Sequence, residues 1–282
     1  SGLFLHALSN DFHVAAKQIG LVVGSYYYVY VAMQLPAGML VDRFGARLLL
    51  SGGCGLASLA LLCFSMTDTV WVAMAARLVA GLGFSFCFVS LVQLIVQWFS
   101  RSQFPKWIGY SEAGGMLLVF VAQLGMSRAL QCCSWRHLVQ GQAVIAMILA
   151  LAIALIVRNR PSPHIKTAQT IDTLAIFWAQ LLDMMRSSQV WLVSFGAGCL
   201  FAVVSIFASL WVPVVVEQKS HVSFVLASHA SETLWLGVVV GLLCYGRWLK
   251  SDALNHKYLL VRSILVLMVL FVILFFCHSM SF

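Results

Sequence analysis

The chain has 282 residues, of which 62% are hydrophobic and 9% charged, with a mean hydropathy of +0.96. An ordinary soluble domain is about half apolar and about a quarter charged, so a water-soluble fold of this size cannot bury the surplus, and soluble enzyme folds are excluded first. The formal charge of +8 does not point to nucleic acid, because the basic residues stand singly or in small groups between apolar runs.

A helix needs about 20 apolar residues to cross a hydrocarbon core about 30 Å thick. Eight segments qualify: 19–41, 48–66, 70–99, 107–130, 138–157, 190–216, 232–249 and 258–278. All are expected to be helices, because backbone polar groups must pair internally in lipid and no segment alternates like a barrel strand. The connections set the orientation. Arg43, Arg47, Arg101, Lys106, Arg158, Arg160, Lys166, Arg186, Arg247, Lys250, Lys257 and Arg262 lie towards one side, against Lys17, Arg128, Arg136 and Lys219 towards the other. The side with twelve is therefore expected to be cytoplasmic, which puts both chain ends outside. The longest polar connection runs over residues 158–189, and its Ile171, Leu174, Trp178, Leu181 and Leu182 share one helical face. That pattern predicts an amphipathic helix at the cytoplasmic interface. Six cysteines (Cys54, Cys63, Cys87, Cys199, Cys244 and Cys277) lie in apolar runs and read as small hydrophobes. The adjacent Cys132 and Cys133 suit neither an ordinary bridge nor a zinc site.

Along the first span, Gly20 and Gly24 form a small-xxx-small pair suited to close helix packing. Tyr26-Tyr27-Tyr28-Val-Tyr30 follows, with Tyr27, Gln34 and Gly38 on nearly one face. These residues suit either a cavity wall or an interfacial aromatic belt. The span ends in Gly38-Met-Leu-Val-Asp42-Arg43-Phe-Gly45-Ala-Arg47. Gly38 and Asp42 share a face one turn apart, and Gly38 offers a neighbouring helix a close approach. Asp42, at the membrane edge, needs a partner or a helix N-terminus, and Gly45 permits a sharp reversal. An ordinary positive-inside turn explains Arg43 and Arg47 but not the order of the rest.

This turn resembles the signature loop between the second and third helices of the major facilitator superfamily. The resemblance implies a cytoplasmic charge latch, formed by Gly38, Asp42, Arg43, Gly45 and Arg47, that holds one alternating-access state. In the third span, Arg77-Leu-Val-Ala-Gly81-Leu-Gly83 looks like the family's fourth-helix pattern. An arginine within an apolar run is a functional candidate by default. Seven residues in, at about 10 Å of rise, it can also snorkel to the interface. Gln93 lies on a polar stripe of the same span. The fourth span carries Glu112, Gly114, Gly115 and Gln123, and it only loosely resembles the family's antiporter motif, lacking that motif's proline. Glu112 is either a buried proton site or an interfacial carboxylate paired with Lys106. The sixth span ends Phe207-Ala-Ser-Leu-Trp211-Val-Pro213, which looks like the family's seventh helix. Trp211 reads as a cavity aromatic or an interfacial anchor.

The resemblance implies an all-α polytopic membrane protein, a helical bundle of two parallel six-helix halves, of which about eight transmembrane helices are present. These correspond to the second to ninth helices, lacking the first and the last three, so the chain reads as part of something longer. Residues 1–157 would be the N-terminal half, 158–189 the inter-half linker and 190–282 a partial C-terminal half. The implied function is secondary transport of a small polar or anionic solute by alternating access, with protons as a coupling ion. The route would involve Arg77, Glu112, Tyr27, Tyr30, Gln34, Gln93, Gln123 and Trp211, and packing would involve Gly20, Gly24, Gly81, Gly83, Gly114 and Gly115. The alternative is a transporter-like receptor without flux. No enzyme is expected: Gly109-Tyr-Ser111-Glu-Ala-Gly114 misses the serine-nucleophile spacing by one residue, and there is no His-Glu-x-x-His. The reading assigns no catalytic residue, metal or cofactor. Its partners are a small-molecule solute, protons and the lipid bilayer, not nucleic acid, and its location is a bacterial inner membrane.

Overall fold

A computed structural model describes residues 8, 11–12, 16–130, 132–159, 178–179, 182–183, 185–206, 215–216 and 235–243. Six long helices stand among them: α1 (Ala16–Phe44), α2 (Ala46–Met66), α3 (Val70–Trp98), α4 (Phe104–Ala129), α5 (Trp135–Ile156) and α6 (Ser188–Ile206). By length and composition, α2, α3 and α5 are long and apolar enough to cross a membrane. Among the described residues there is no strand, and the arrangement is an all-α membrane fold. Helices α1, α2, α4 and α5 begin two or three residues before the apolar segments read from sequence, because polar first turns such as Phe104-Pro-Lys are helical too. Residues 235–243 are helical within the seventh expected span. The eighth span, Trp211 and most of the 158–189 connection lie outside the described residues.

Local chemistry explains the boundaries. Gly45 sits between α1 and α2 with φ +85°, a conformation that costs other L-residues energy. Pro105 stands in the first turn of α4, where its missing N–H is no loss. Ser134 caps α5, its hydroxyl accepting the His137 N–H at 3.5 Å. Pro36 lies within α1, which membrane helices tolerate when neighbours support the freed carbonyl.

The packing is the reverse of a soluble core. Buried positions at the helix contacts are small: Ala57 and Ala60 on α2, Ala73, Ala76 and Ala80 on α3, Ala143 and Ala150 on α5. Large apolar side chains such as Trp71, Ile145, Ile148, Leu149 and Leu155 face outward. In lipid there is no hydrophobic gain from turning them inward, so helices associate through close backbone approach and interhelical polar contacts. Helix α3 is central, packing along α1 on one side and α2 on the other, while α2 also packs along α5. Gly53 of α2 and Gly83 of α3 approach closely, and a Cβ on either would come within 2.5 Å of the other's carbonyl oxygen. A Cβ on Gly81 would collide with the Tyr26 carbonyl of α1. Ser58 donates to the Ala143 carbonyl at 2.7 Å, tying α2 to α5.

The remaining expected packing glycines behave differently. A Cβ at Gly20, Gly24, Gly38, Gly114 or Gly115 would meet nothing within 4 Å among the described residues. The close helix approach expected from these five is not made there. Among the described residues their faces meet no neighbour, and the tight contacts fall at Gly53, Gly81 and Gly83.

Candidate solute cavity and cytoplasmic latch

Two sites emerge on the same bundle. The first is a cavity of about 390 Å³ lined by Tyr26 and Tyr27 of α1, Leu61 of α2, Arg77 and Phe84 of α3, and Gln142 and Ala146 of α5. Arg77 supplies its charge. Its guanidinium lies over the Tyr26 ring at 5.3 Å and the Phe64 ring at 5.7 Å, within the range of a cation–π contact. One terminal nitrogen donates to the Val23 carbonyl at 3.4 Å. Its Nε is buried without a hydrogen-bond partner among the described residues, and the two ion pairs among those residues both belong to Arg136. A buried cation is ordinarily matched by a carboxylate. Here aromatic faces and one carbonyl surround it, which leaves donors for an anion.

The second site is the turn between α1 and α2. Asp42 accepts from Gln93 Nε2 at 3.1 Å, joining α1 to α3. Asn159, just past α5, accepts the Arg47 N–H at 3.0 Å through its side-chain oxygen. It thus satisfies one of the orphan donors at the start of α2. The Arg47 guanidinium folds onto the Ala154 carbonyl near the C-terminus of α5, donating from Nε at 2.9 Å and also from a terminal nitrogen. That contact suits the negative end of a helix dipole. Trp98 donates to the Arg158 carbonyl at 3.2 Å. Arg43 lies over the neighbouring Phe44 ring at 5.4 Å. The turn is therefore fastened to α3 and α5.

The residues named from sequence distribute unevenly over these sites. Tyr27 and Arg77 share the cavity. Tyr30 stacks on Tyr26 at 5.6 Å without lining it. Gln93 belongs to the turn rather than to the cavity wall. Gln34 is half-buried on α1, its Nε2 without a partner among the described residues. Glu112 is half-buried on α4, away from the cavity lining, and Lys106 lies over Tyr110 at 5.6 Å rather than against it. Gln123 falls on α4, its side chain outside the description, as Trp211 is altogether. Sequence reasoning did not single out Tyr26, Phe84, Gln142 or Asn159. Tyr26 was visible only as one of four tyrosines, and Asn159 as one polar residue in a loop.

At the opposite end, Arg136 bridges Asp68 at 2.7 Å and Asp11 at 3.4 Å and donates to the Ser65 and Thr67 carbonyls, each at 3.0 Å. Trp135 also donates to Asp11, at 2.8 Å. This cluster, beside a core that includes Leu8, Phe12, Ile19, Phe64 and Trp135, joins the C-terminal end of α2 to the start of α5.

A family model described as the Major Facilitator Superfamily matches residues 1–282. The chain belongs to the major facilitator superfamily. Within it, the chain is similar to a probable sulfoacetate transporter of Cupriavidus necator, 24% identical over 68% of the chain and 47% of the relative. A probable L-galactonate transporter of Escherichia coli is 25% identical over 54% of the chain and 34% of the relative. Probable anion transporter 4 of Arabidopsis thaliana, a chloroplastic protein, is 27% identical over 35% of the chain and 19% of the relative. The chain thus spans less than half the length of each of these transporters. Membership of the superfamily and these relatives place the chain among integral membrane proteins named as transporters.

Proposed function

We propose that the chain forms the N-terminal half and part of the C-terminal half of a secondary transporter that moves a small organic anion by alternating access, as a multi-pass protein of a bacterial inner membrane. Residues 1–157 are the first half in this reading, 158–189 the linker and 190–282 the partial second half. The observation that carries it is Arg77, a half-buried arginine on a cavity wall with no carboxylate paired to it among the described residues. A site that holds an unmatched cation favours a solute bearing a carboxylate, sulfonate or phosphate. The relatives whose names give a substrate name anions, which supports the same class. Tyr27 and Gln142 supply polar groups on the same wall.

The Asp42–Gln93 and Arg47–Asn159 contacts are the latch of this reading. They hold α1, α2, α3 and α5 together at the cytoplasmic end, so that the first half rocks as a unit. Glu112 is the proposed proton-coupling carboxylate. Reconstituting the full-length protein in liposomes and measuring uptake of sulfoacetate and L-galactonate tests the proposal. Arg77→Gln is expected to lower uptake at least tenfold, and equal rates in wild type and variant would remove Arg77 from the route. Binding of these anions without flux would favour a receptor. Uptake indifferent to a pH gradient in both wild type and Glu112→Gln would end the proton assignment.

A further inference from the structure

Four aromatic and charged groups form a continuous column across two helix interfaces. Tyr30 stacks on Tyr26 at 5.6 Å with the rings 16° apart. Tyr26 presents a face to Arg77, and Phe64 of α2 presents another. Tyr27 meets the edge of Tyr26 at 5.1 Å and 88°, and Phe84 flanks it at 6.2 Å. Tyr26 is therefore held on three sides. Its backbone is held as well, because Gly81 lies against the Tyr26 carbonyl with no room for a Cβ. Gly81 is one turn beyond Arg77 on α3, so the contact that brings the helices together also fixes how far the guanidinium stands from the ring.

We propose that Tyr26 and Phe64 are positioning residues that clamp Arg77 between two ring faces, doing the work usually given to a carboxylate, and that this sets the cavity's preference for an oxyanion able to take two guanidinium N–H groups at once. The inference rests on the solute reading above. A carboxylate partner would orient Arg77 equally well but would neutralise it and compete with the solute for the same donors. Ring faces attract the cation while accepting no conventional hydrogen bond, so the in-plane fork remains available. Arg77 itself lines the cavity, while its Nε is buried without a partner among the described residues. A planar or tetrahedral oxyanion matches the fork; a neutral polyol does not. The ring face of Tyr26, not its hydroxyl, is what the clamp uses.

The test takes the full-length protein in lipid nanodiscs, labelled with 15N-arginine. Ring currents from two faces displace the Arg77 side-chain N–H proton resonance upfield, and the resonance is assigned by its disappearance in Arg77→Lys. Tyr26→Phe is expected to keep the displacement, and Tyr26→Leu and Phe64→Leu are each expected to diminish it. In proteoliposomes with sulfoacetate as the probe, Tyr26→Phe should retain the wild-type KM. Tyr26→Leu should raise KM by about 3- to 30-fold with a smaller change in kcat, the range that loss of a desolvated cation–π contact implies. A resonance unmoved in both leucine variants overturns the clamp whatever uptake does. If Tyr26→Phe raises KM as much as Tyr26→Leu, the hydroxyl is the active group and the proposal is wrong. If Arg77→Gln loses uptake while Tyr26→Leu keeps its KM, the solute reading stands and the positioning role falls. If Arg77→Gln transports normally, the solute reading falls, and the resonance still decides the clamp. Phe64 lies on a different helix, so Phe64→Leu serves where Tyr26→Leu does not assemble.

Discussion

Single atoms decide most at the glycines. Gly81 and Gly83 are two residues apart, and each faces a different helix: Gly81 meets α1 at the Tyr26 carbonyl, and Gly83 meets α2 at the Gly53 carbonyl. Neither neighbour is a flexible side chain, so a methyl group must push backbones apart. Gly83→Ala is expected to destabilise the bundle by about 1–3 kcal/mol, the usual cost of overpacking, whereas Gly24→Ala should fall within about 0.5 kcal/mol of wild type or raise stability through helix propensity. Thermal unfolding in detergent, followed by size-exclusion fluorescence, separates the two. Gly45 is constrained by its backbone. Its φ of +85° disfavours a side chain, and an added Cβ would also strike the Asn159 amide. Gly45→Ala should therefore cost about 1–3 kcal/mol. Neighbouring Asn159→Ala, which removes the cap on the Arg47 N–H, should cost about 1 kcal/mol.

Among the elements, α3 carries the organisation. It meets α1 through Gly81, α2 through Gly83, and the end of α1 through Gln93, and it brings Arg77 to the cavity. Its existence and its arginine were legible in the sequence, because an apolar run of that length can only be a span and a charge inside it stands out. Its glycines were legible as packing candidates, yet nothing in the sequence separated Gly81 and Gly83 from Gly20, Gly24, Gly38, Gly114 and Gly115. All offer small size, and only the neighbouring helix determines whether the space is used. The Asp42–Gln93 contact was hidden for a similar reason: Gln93 lies 51 positions away in sequence and joins Asp42 only once α1 and α3 align. The tyrosine run announced a polar aromatic wall, but which ring would face Arg77 depends on the rotation of α1, so Tyr26 was indistinguishable from Tyr27, Tyr28 and Tyr30. Helix α5 is tied in by polar contacts. Ser58→Ala removes the hydroxyl donated to Ala143, and the loss should amount to about 0.6 kcal/mol and no more than about 1.7 kcal/mol, the mean and maximum for interhelical hydrogen bonds in a membrane protein. Chemical unfolding in mixed micelles reads that difference.

For the molecule as a whole, the two ends of the bundle are closed by different chemistry. The Arg136 end carries a true ion-pair network in which Arg136 meets Asp68 and Asp11, while at the other end Asp42 and Arg47 meet a glutamine, an asparagine and a backbone carbonyl, with no opposite charge among the described contacts. Salt screens exposed ion pairs more than hydrogen bonds between a charge and a neutral group. Raising ionic strength is therefore expected to loosen the Arg136 end first, increasing alkylation at Cys63 near that end before any cysteine introduced beside Asn159 reacts faster. Arg136→Gln should abolish this difference between the ends. Mass spectrometry of the modified chain, at low and high salt, gives the comparison.

The guanidinium of Arg77, without a carboxylate partner among the described residues, also has an electrical consequence. In the proposed cycle the empty carrier keeps a fixed positive charge inside the membrane, and a bound monoanion cancels it. The loaded protein then changes conformation without moving net charge at that site, while the empty one must move it through whatever part of the field its conformational change sweeps. A full charge crossing the whole field is worth about 2.3 kcal/mol per 100 mV, so even a third of the field is enough to alter the return rate several-fold. Voltage should therefore govern how quickly the empty carrier resets and leave the solute-bound step nearly untouched. Presteady-state currents on solid-supported membranes would show this as charge displacement in the absence of solute that vanishes in Arg77→Gln.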